Sequence, residues 1–168
     1  PTVEKEIESA RMHAQENGGE CLFCRLLEEE VAQKSRIISA DEHFTAFVPF
    51  AARFPAEVAL YARRHLRTLL DLTAEEKRSL ARHISVIRRK YDDLYGFMMP
   101  LMMALKQAPL QDTEAPYHFH VQFLPLQRSA TKLKYLATME TGYGSFLADT
   151  APEERAEKLR RCKPETNG

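Results

Sequence analysis

An α+β fold, with an antiparallel sheet packed against one long helix and flanked by terminal helices, is what this sequence predicts, on three observations. Thr73-Ala74-Glu75-Glu76 sets a threonine ahead of a glutamate at the spacing of a reciprocal helix cap. From there Leu80, Ile84, Ile87, Tyr91 and Leu94 form one apolar stripe at helical steps, which should stop near Gly96. Tyr117 to Pro125 alternates instead. His118, His120 and Gln122 share one face of a strand there, and Phe119, Val121 and Phe123 point into a core.

The other elements follow in order. Residues 3–16 and 21–34 read as two helices separated by Asn17-Gly18-Gly19, the second with Leu22, Leu26, Leu27 and Val31 at helical spacing. Arg36 to Ala40, His43 to Phe50 and Glu57 to Ala62 read as strands, with Pro49 and Pro55 bracketing a connection. Leu101 to Leu105 is expected as a buried strand, and the methionines around it as gap-filling core. A polar loop with Gln111, Asp112 and Glu114 leads to the histidine strand. Residues 132–139 are expected as a further strand, and Thr141 to Gly144 as a turn. Pro152, followed by Glu153 and Glu154, opens a last helix, after which Cys162 to Gly168 reads as a tail.

A chain of 168 residues suffices for one domain with a real core. Its 24 Lys and Arg balance 24 Asp and Glu, so no overall field draws it to nucleic acid or to an anionic membrane. No apolar run approaches the ~20 residues of a membrane span, and the polar stretch from Pro1 to Gly18 has no signal-peptide core. Cys21 and Cys24 stand at CxxC spacing and Cys162 is alone. That pattern favours a metal or redox role over a structural disulfide, and a cytoplasmic setting.

Two thiolates three positions apart can reach one ion, and zinc seeks two further nitrogen or sulfur ligands. His65, directly after a predicted strand, and His118 could supply them. A Cys21/Cys24/His65/His118 set would tie the N-terminal helix to the sheet. The alternative is that Cys21 and Cys24 are small buried hydrophobes on a helix. With His118 on the metal, His120 stays free on the same face, where a neutral imidazole can attack phosphorus and form a phosphoramidate. Gln122 could donate an amide N–H to the phosphate oxygens. His13, His43 and His83 have no such company and read as surface or helix-face residues.

At these residues the chain resembles the histidine-triad superfamily, and within it galactose-1-phosphate uridylyltransferases. The resemblance runs from about Gly19 to Arg161, which leaves residues 1–18 as an N-terminal helical segment and 162–168 as a tail. Its most specific stretch is His118-Phe119-His120 with Pro125, then Arg128 to Leu136, Met139 to Gly142 and Asp149 to Glu154. Ala46 to Phe50, Arg64-His65 and Asp71 to Thr73 keep the same register. These features are those of the family's carboxy-terminal half. The family's catalytic His-Pro-His-x-Gln motif belongs to the other half, whereas this chain has His-Phe-His-Val-Gln. The resemblance implies transfer of UMP between UDP-glucose and galactose 1-phosphate, a partner (an amino-terminal half or a second copy), and a zinc site at the four Cys/His residues. The iron site of some such halves needs a histidine where this chain has Lys106 and Gln107 before Ala108-Pro109. Matching the family's sugar-phosphate loop makes Lys134 and Glu140 substrate contacts, the first neutralising phosphate and the second accepting from sugar hydroxyls. Two other functions stand beside this one: a self-sufficient nucleotide hydrolase or nucleotidyltransferase using His120, and a zinc-stapled partner domain without catalysis.

Overall fold

The computed structural model describes residues 2–112, 114–133, 136, 138–147 and 150–163. Helices α1 (Thr2–Glu16) and α2 (Leu22–Gln33) precede strands β1 (Ile37–Ala40), β2 (Phe44–Phe47) and β3 (Val58–Ala62). A 3-10 turn (Leu69–Asp71) leads into the long helix α3 (Ala74–Tyr95). Strands β4 (Leu101–Lys106) and β5 (His120–Pro125) complete a five-stranded antiparallel sheet of order β1-β2-β3-β5-β4. A small ribbon of β6 (Gln127–Ser129) and β7 (Lys132–Leu133), helix α4 (Thr138–Tyr143) and helix α5 (Pro152–Arg161) follow. Among the described residues no helix is long and apolar enough to cross a membrane.

The reciprocal cap of α3 forms as expected. The Glu76 N–H donates to Thr73 Oγ1 at 3.2 Å and the Thr73 N–H to Glu76 Oε2 at 2.8 Å, so two otherwise orphaned donors are satisfied. The helix ends on Gly96, whose φ of 73° is open to a residue without Cβ. Glu76 also accepts two hydrogen bonds from the Arg64 guanidinium, at 3.0 and 2.9 Å. That fork ties the chain leaving β3 to the start of α3, and fixes the residue before His65.

Each face of the sheet has its own core. Val58, Leu60, Phe119, Val121 and Phe123 pack against Leu80, Ile87 and Tyr91 of α3 and against Ala156 and Leu159 of α5. Each buried Val, Leu, Ile or Phe side chain among them contributes about 1.5–3 kcal/mol. Phe47, Ala59, Tyr61 and Tyr117 face the other way, against Ile7 and Ala10 of α1 and Phe23 and Leu27 of α2. Lys90, itself buried, donates to the carbonyls of Leu159 and Cys162, both at 2.8 Å, and so holds the end of α5 on α3.

Three expectations are corrected. The strand at Leu101 to Leu105 is an edge strand, with Met102 44% exposed, Met103 42% and Leu105 43%. Among the described residues it pairs with β5 on one side only, so its apolar run is not enclosed. Of the methionines around it, Met99 is buried and Met98 is exposed, so gap-filling holds for Met99 alone. Residues 132–139 do not form one strand either: β7 covers Lys132–Leu133, and Thr138 to Tyr143 is helical through the expected turn, with Gly144 at positive φ beyond it. Residues 134, 135 and 137 of that span lie outside the described residues.

Candidate functional site

The polar groups of the second face converge where α2 begins and β5 begins. Cys21 is the N-cap residue of α2 and Cys24 lies in its first turn, so one helical turn presents both sulfurs on the same side. Cys24 Sγ is 3.2 Å from His65 Nδ1 and 3.3 Å from His118 Nδ1. The four ligand atoms of Cys21, Cys24, His65 and His118 all lie within 4.8 Å of one another, and the group could hold a metal ion. The hydrogen bond from Cys24, with a further one involving His118, draws the Cys21 thiol down to about 3 against the effect of burial. The same pairing and its burial push Cys24 up. His118 is fully buried, and among the described residues its Nε2 has no hydrogen-bond partner. Two sulfurs and two imidazoles at this spacing are the donor set that a tetrahedral metal takes up.

His120 comes two residues later on the same face. Its Nδ1 lies 2.9 Å from the backbone carbonyl of His118, so Nδ1 carries the proton and Nε2 is the bare nitrogen of the neutral ring. Tyr61 packs against the ring at 4.6 Å between centroids, Phe23 at 5.4 Å, and Tyr117 stacks at 5.8 Å. Burial among them depresses its pKa to about 4. His120 and Gln122 line a cleft of about 360 Å3 with Glu6, Phe50, Arg53 and Glu57.

Gln122 is not a free amide. Its Nε2 donates to Glu57 Oε1, and its Oε1 accepts from the Arg53 guanidinium at 3.3 Å. Glu57, itself buried, also accepts the backbone N–H groups of Arg53 (2.7 Å) and Phe54 (3.2 Å). One carboxylate therefore fixes both the amide orientation and the loop that brings Arg53 to the cleft, leaving one amide N–H of Gln122 to spare. Behind His120, Glu6 accepts from Lys106 and from the Tyr117 hydroxyl, the latter at 2.7 Å. Burial pushes the Glu6 carboxyl up, but these two donors outweigh it and leave it below the usual carboxylate range.

The structure thus gathers Cys21, Cys24, His65 and His118 into one group and sets His120 and Gln122 beside it. Glu140 is buried on α4 and does not line the cleft, and Lys134 lies outside the described residues. Glu6, Arg53, Glu57 and Lys106 were not anticipated. Lys106 sits opposite His120 in the β4–β5 register, a relation that strand pairing reveals and spacing along the chain does not. His83 is buried rather than on the surface, with its Nε2 3.3 Å from Asp41.

The family model described as galactose-1-phosphate uridyl transferase, C-terminal domain, matches residues 6–166. The galactose-1-phosphate uridylyltransferase of Thermotoga maritima is 40% identical over 170 residues, covering 98% of this chain and 53% of that protein. The Hypocrea jecorina enzyme of the same name is 33% identical, covering 96% of this chain and 43% of its own length. A solved uridylyltransferase superposes with a TM-score of 0.88 at 34% identity, over 96% of this chain and 50% of that one. A zinc-bound histidine-triad protein of Mycobacterium smegmatis shares the fold, with a TM-score of 0.58 at 19% identity over 85% of this chain and 92% of that one. The chain spans about half the length of the curated relatives it matches.

Proposed function

The chain belongs to the galactose-1-phosphate uridyl transferase family as its C-terminal domain, and from that premise we propose that it is one half of a nucleotidyltransferase of galactose metabolism. The reaction would move UMP between UDP-glucose and galactose 1-phosphate. The observation that carries the proposal is the cleft, in which His120, Gln122 and Arg53 stand together beside the Cys/His group. Arg53 can pair with phosphate oxygens, and the spare N–H of Gln122 can donate to them as charge grows on phosphorus. Lys134 and Glu140 are proposed as contacts to the sugar phosphate. Residues 19–161 would be the working domain, with 1–18 and 162–168 as flanks. The setting would be the cytoplasm.

Zinc is the metal that the two thiols and two imidazoles suit best, held by Cys21, Cys24, His65 and His118. With all four positions filled by protein, it would act as a structural staple between α2 and the sheet. The complementary half, or a second copy in a dimer, would cover the bare edge of β4. An unpaired strand edge carrying exposed Met102, Met103 and Leu105 supports such pairing. The direct test mixes the metal-loaded chain with the amino-terminal half of the Thermotoga maritima relative, and follows turnover of UDP-glucose with galactose 1-phosphate. A stable complex with turnover is expected; neither complex nor turnover would sink the proposal.

A second reading is favoured by the tautomer of His120, whose bare Nε2 is set by the His118 carbonyl. In it, Nε2 attacks the UMP phosphorus, the Nε2–P bond forms as the P–O bond to the sugar phosphate breaks, and hexose 1-phosphate leaves. A second sugar phosphate then takes the UMP and frees the ring. Intact-mass analysis of the chain after incubation with UDP-glucose alone would show a uridylyl adduct lost in His120→Asn. No adduct on folded, metal-loaded protein would leave the nucleophile to the partner.

A further inference from the structure

A second cavity, of about 350 Å3, opens where α2 ends beside the β1 edge, and shares no lining residue with the cleft. Val31, Ile37, Ile38 and Ala40 make its walls almost wholly apolar. One polar side chain interrupts them. Thr45 is fully buried on β2, and its Oγ1 has no hydrogen-bond partner. Thr45 has no exposed surface, so its hydroxyl lies behind the wall and takes no part in binding.

The rim adds charge of one sign. Lys34, Arg63 and Arg160 line the cavity, and among the described residues none of them pairs with a carboxylate. Arg63 donates to the Asp41 carbonyl at 3.2 Å, and Arg160 to the carbonyls of Ser35 (3.0 Å) and Ile37 (2.6 Å). These bonds hold the two guanidiniums in place and leave each with N–H groups to spare. The geometry points to a second binding site, for a small carboxylate with an apolar body. The apolar portion fills the walls, and the carboxylate meets the guanidiniums at the rim. The volume lies at the lower end of the ~300–1,000 Å3 usual for small-molecule pockets. A phosphate dianion is a poorer match, because bringing its second charge against apolar walls costs more than bringing a monoanion there.

The test is a methyl NMR titration of the purified chain, labelled at Ile, Val, Ala and Thr, with octanoate, octanol and octyl phosphate as probes. Octanoate should give saturable shifts at Val31, Ile37, Ile38, Ala40 and Thr45, and bind about tenfold more tightly than octanol. Lys34→Gln removes one rim charge and should weaken octanoate about twofold. Arg63→Gln should weaken octanoate and leave octanol unchanged. The proposal is overturned by absence of saturable shifts at millimolar octanoate, or by octanol binding as tightly as octanoate. It is equally overturned if octyl phosphate binds more tightly than octanoate, or if both variants bind octanoate as the parent does.

Discussion

The two faces of the sheet are built on different principles. The face toward α3 and α5 closes on aliphatic and aromatic side chains. The face toward α1 and α2 closes on a smaller apolar cluster, and beyond it on oriented polar groups: the Cys/His set, the Glu6–Lys106–Tyr117 network and the Glu57–Gln122 pair. Apolar packing is non-directional and tolerates volume-conserving change. The polar face depends on each donor meeting its acceptor, so one lost partner strands another. One face keeps the fold and the other keeps a geometry.

The largest effect that would separate them is removal of the metal proposed for the Cys/His group. Chelation, or Cys24→Ser, should abolish stoichiometric zinc and lower stability by several kcal/mol, since metal affinity at such sites is folding energy of up to about 10–16 kcal/mol. Metal content and thermal melting check this together; unchanged zinc in Cys24→Ser would disprove the four-ligand set. Next comes Phe123→Ala on the closed face, where loss of a buried ring should cost about 3–5 kcal/mol in urea unfolding. Metal content should stay stoichiometric, and a joint loss would show that the faces are not separable. Smaller again is Glu57→Gln, which puts an amide where a carboxylate accepts three N–H groups. About 1–3 kcal/mol of stability should go, and activity of the reconstituted enzyme should fall more than that of an Arg64→Gln control.

The smallest effect is in pH. Burial, opposed by Asp41, holds His83 below its ordinary value of 6.5. Burial pushes Asp41 up, but the Ser79 hydroxyl and the N–H groups of Phe44 and His43 outweigh it and hold it below the usual carboxylate range. Both groups bind protons less readily in the folded chain than in the unfolded one. Their contribution is therefore present above the unfolded value of each, and is lost as pH falls, first through the His83 range and then through that of Asp41. Urea midpoints of the metal-loaded chain from about pH 8 down to about pH 4 should decline, and His83→Gln should remove the upper part of the decline. A midpoint that rises on acidification would refute the assignment.

What the sequence made readable was periodic. The α3 stripe sits where its repetition puts it, and so do His120 and Gln122 on β5. His118 lies before that strand, which begins at His120, and joins the Cys/His group from the connection. Cys21 and Cys24 were readable because one helical turn separates them. The edge position of β4 was not, because Leu101 to Leu105 has the same composition whether or not a neighbour covers it. Glu6 and Lys106 meet across a separation of 100 residues, and Glu57 meets Gln122 across 65. No local pattern encodes such partners. They exist only once α1 and the loop before β3 have folded onto the sheet.

His118 serves two neighbours with two different parts of itself. Its ring belongs to the Cys/His group, and its backbone carbonyl sets the proton on His120. Any tilt of that peptide plane is thus felt at both places at once. A variant that loosens the sulfur side would scramble the His120 tautomer even if the metal never approached the reacting phosphorus. Were His120 the nucleophile, turnover lost in such variants would measure backbone rotation, and restoring an ion without restoring the plane would not bring it back.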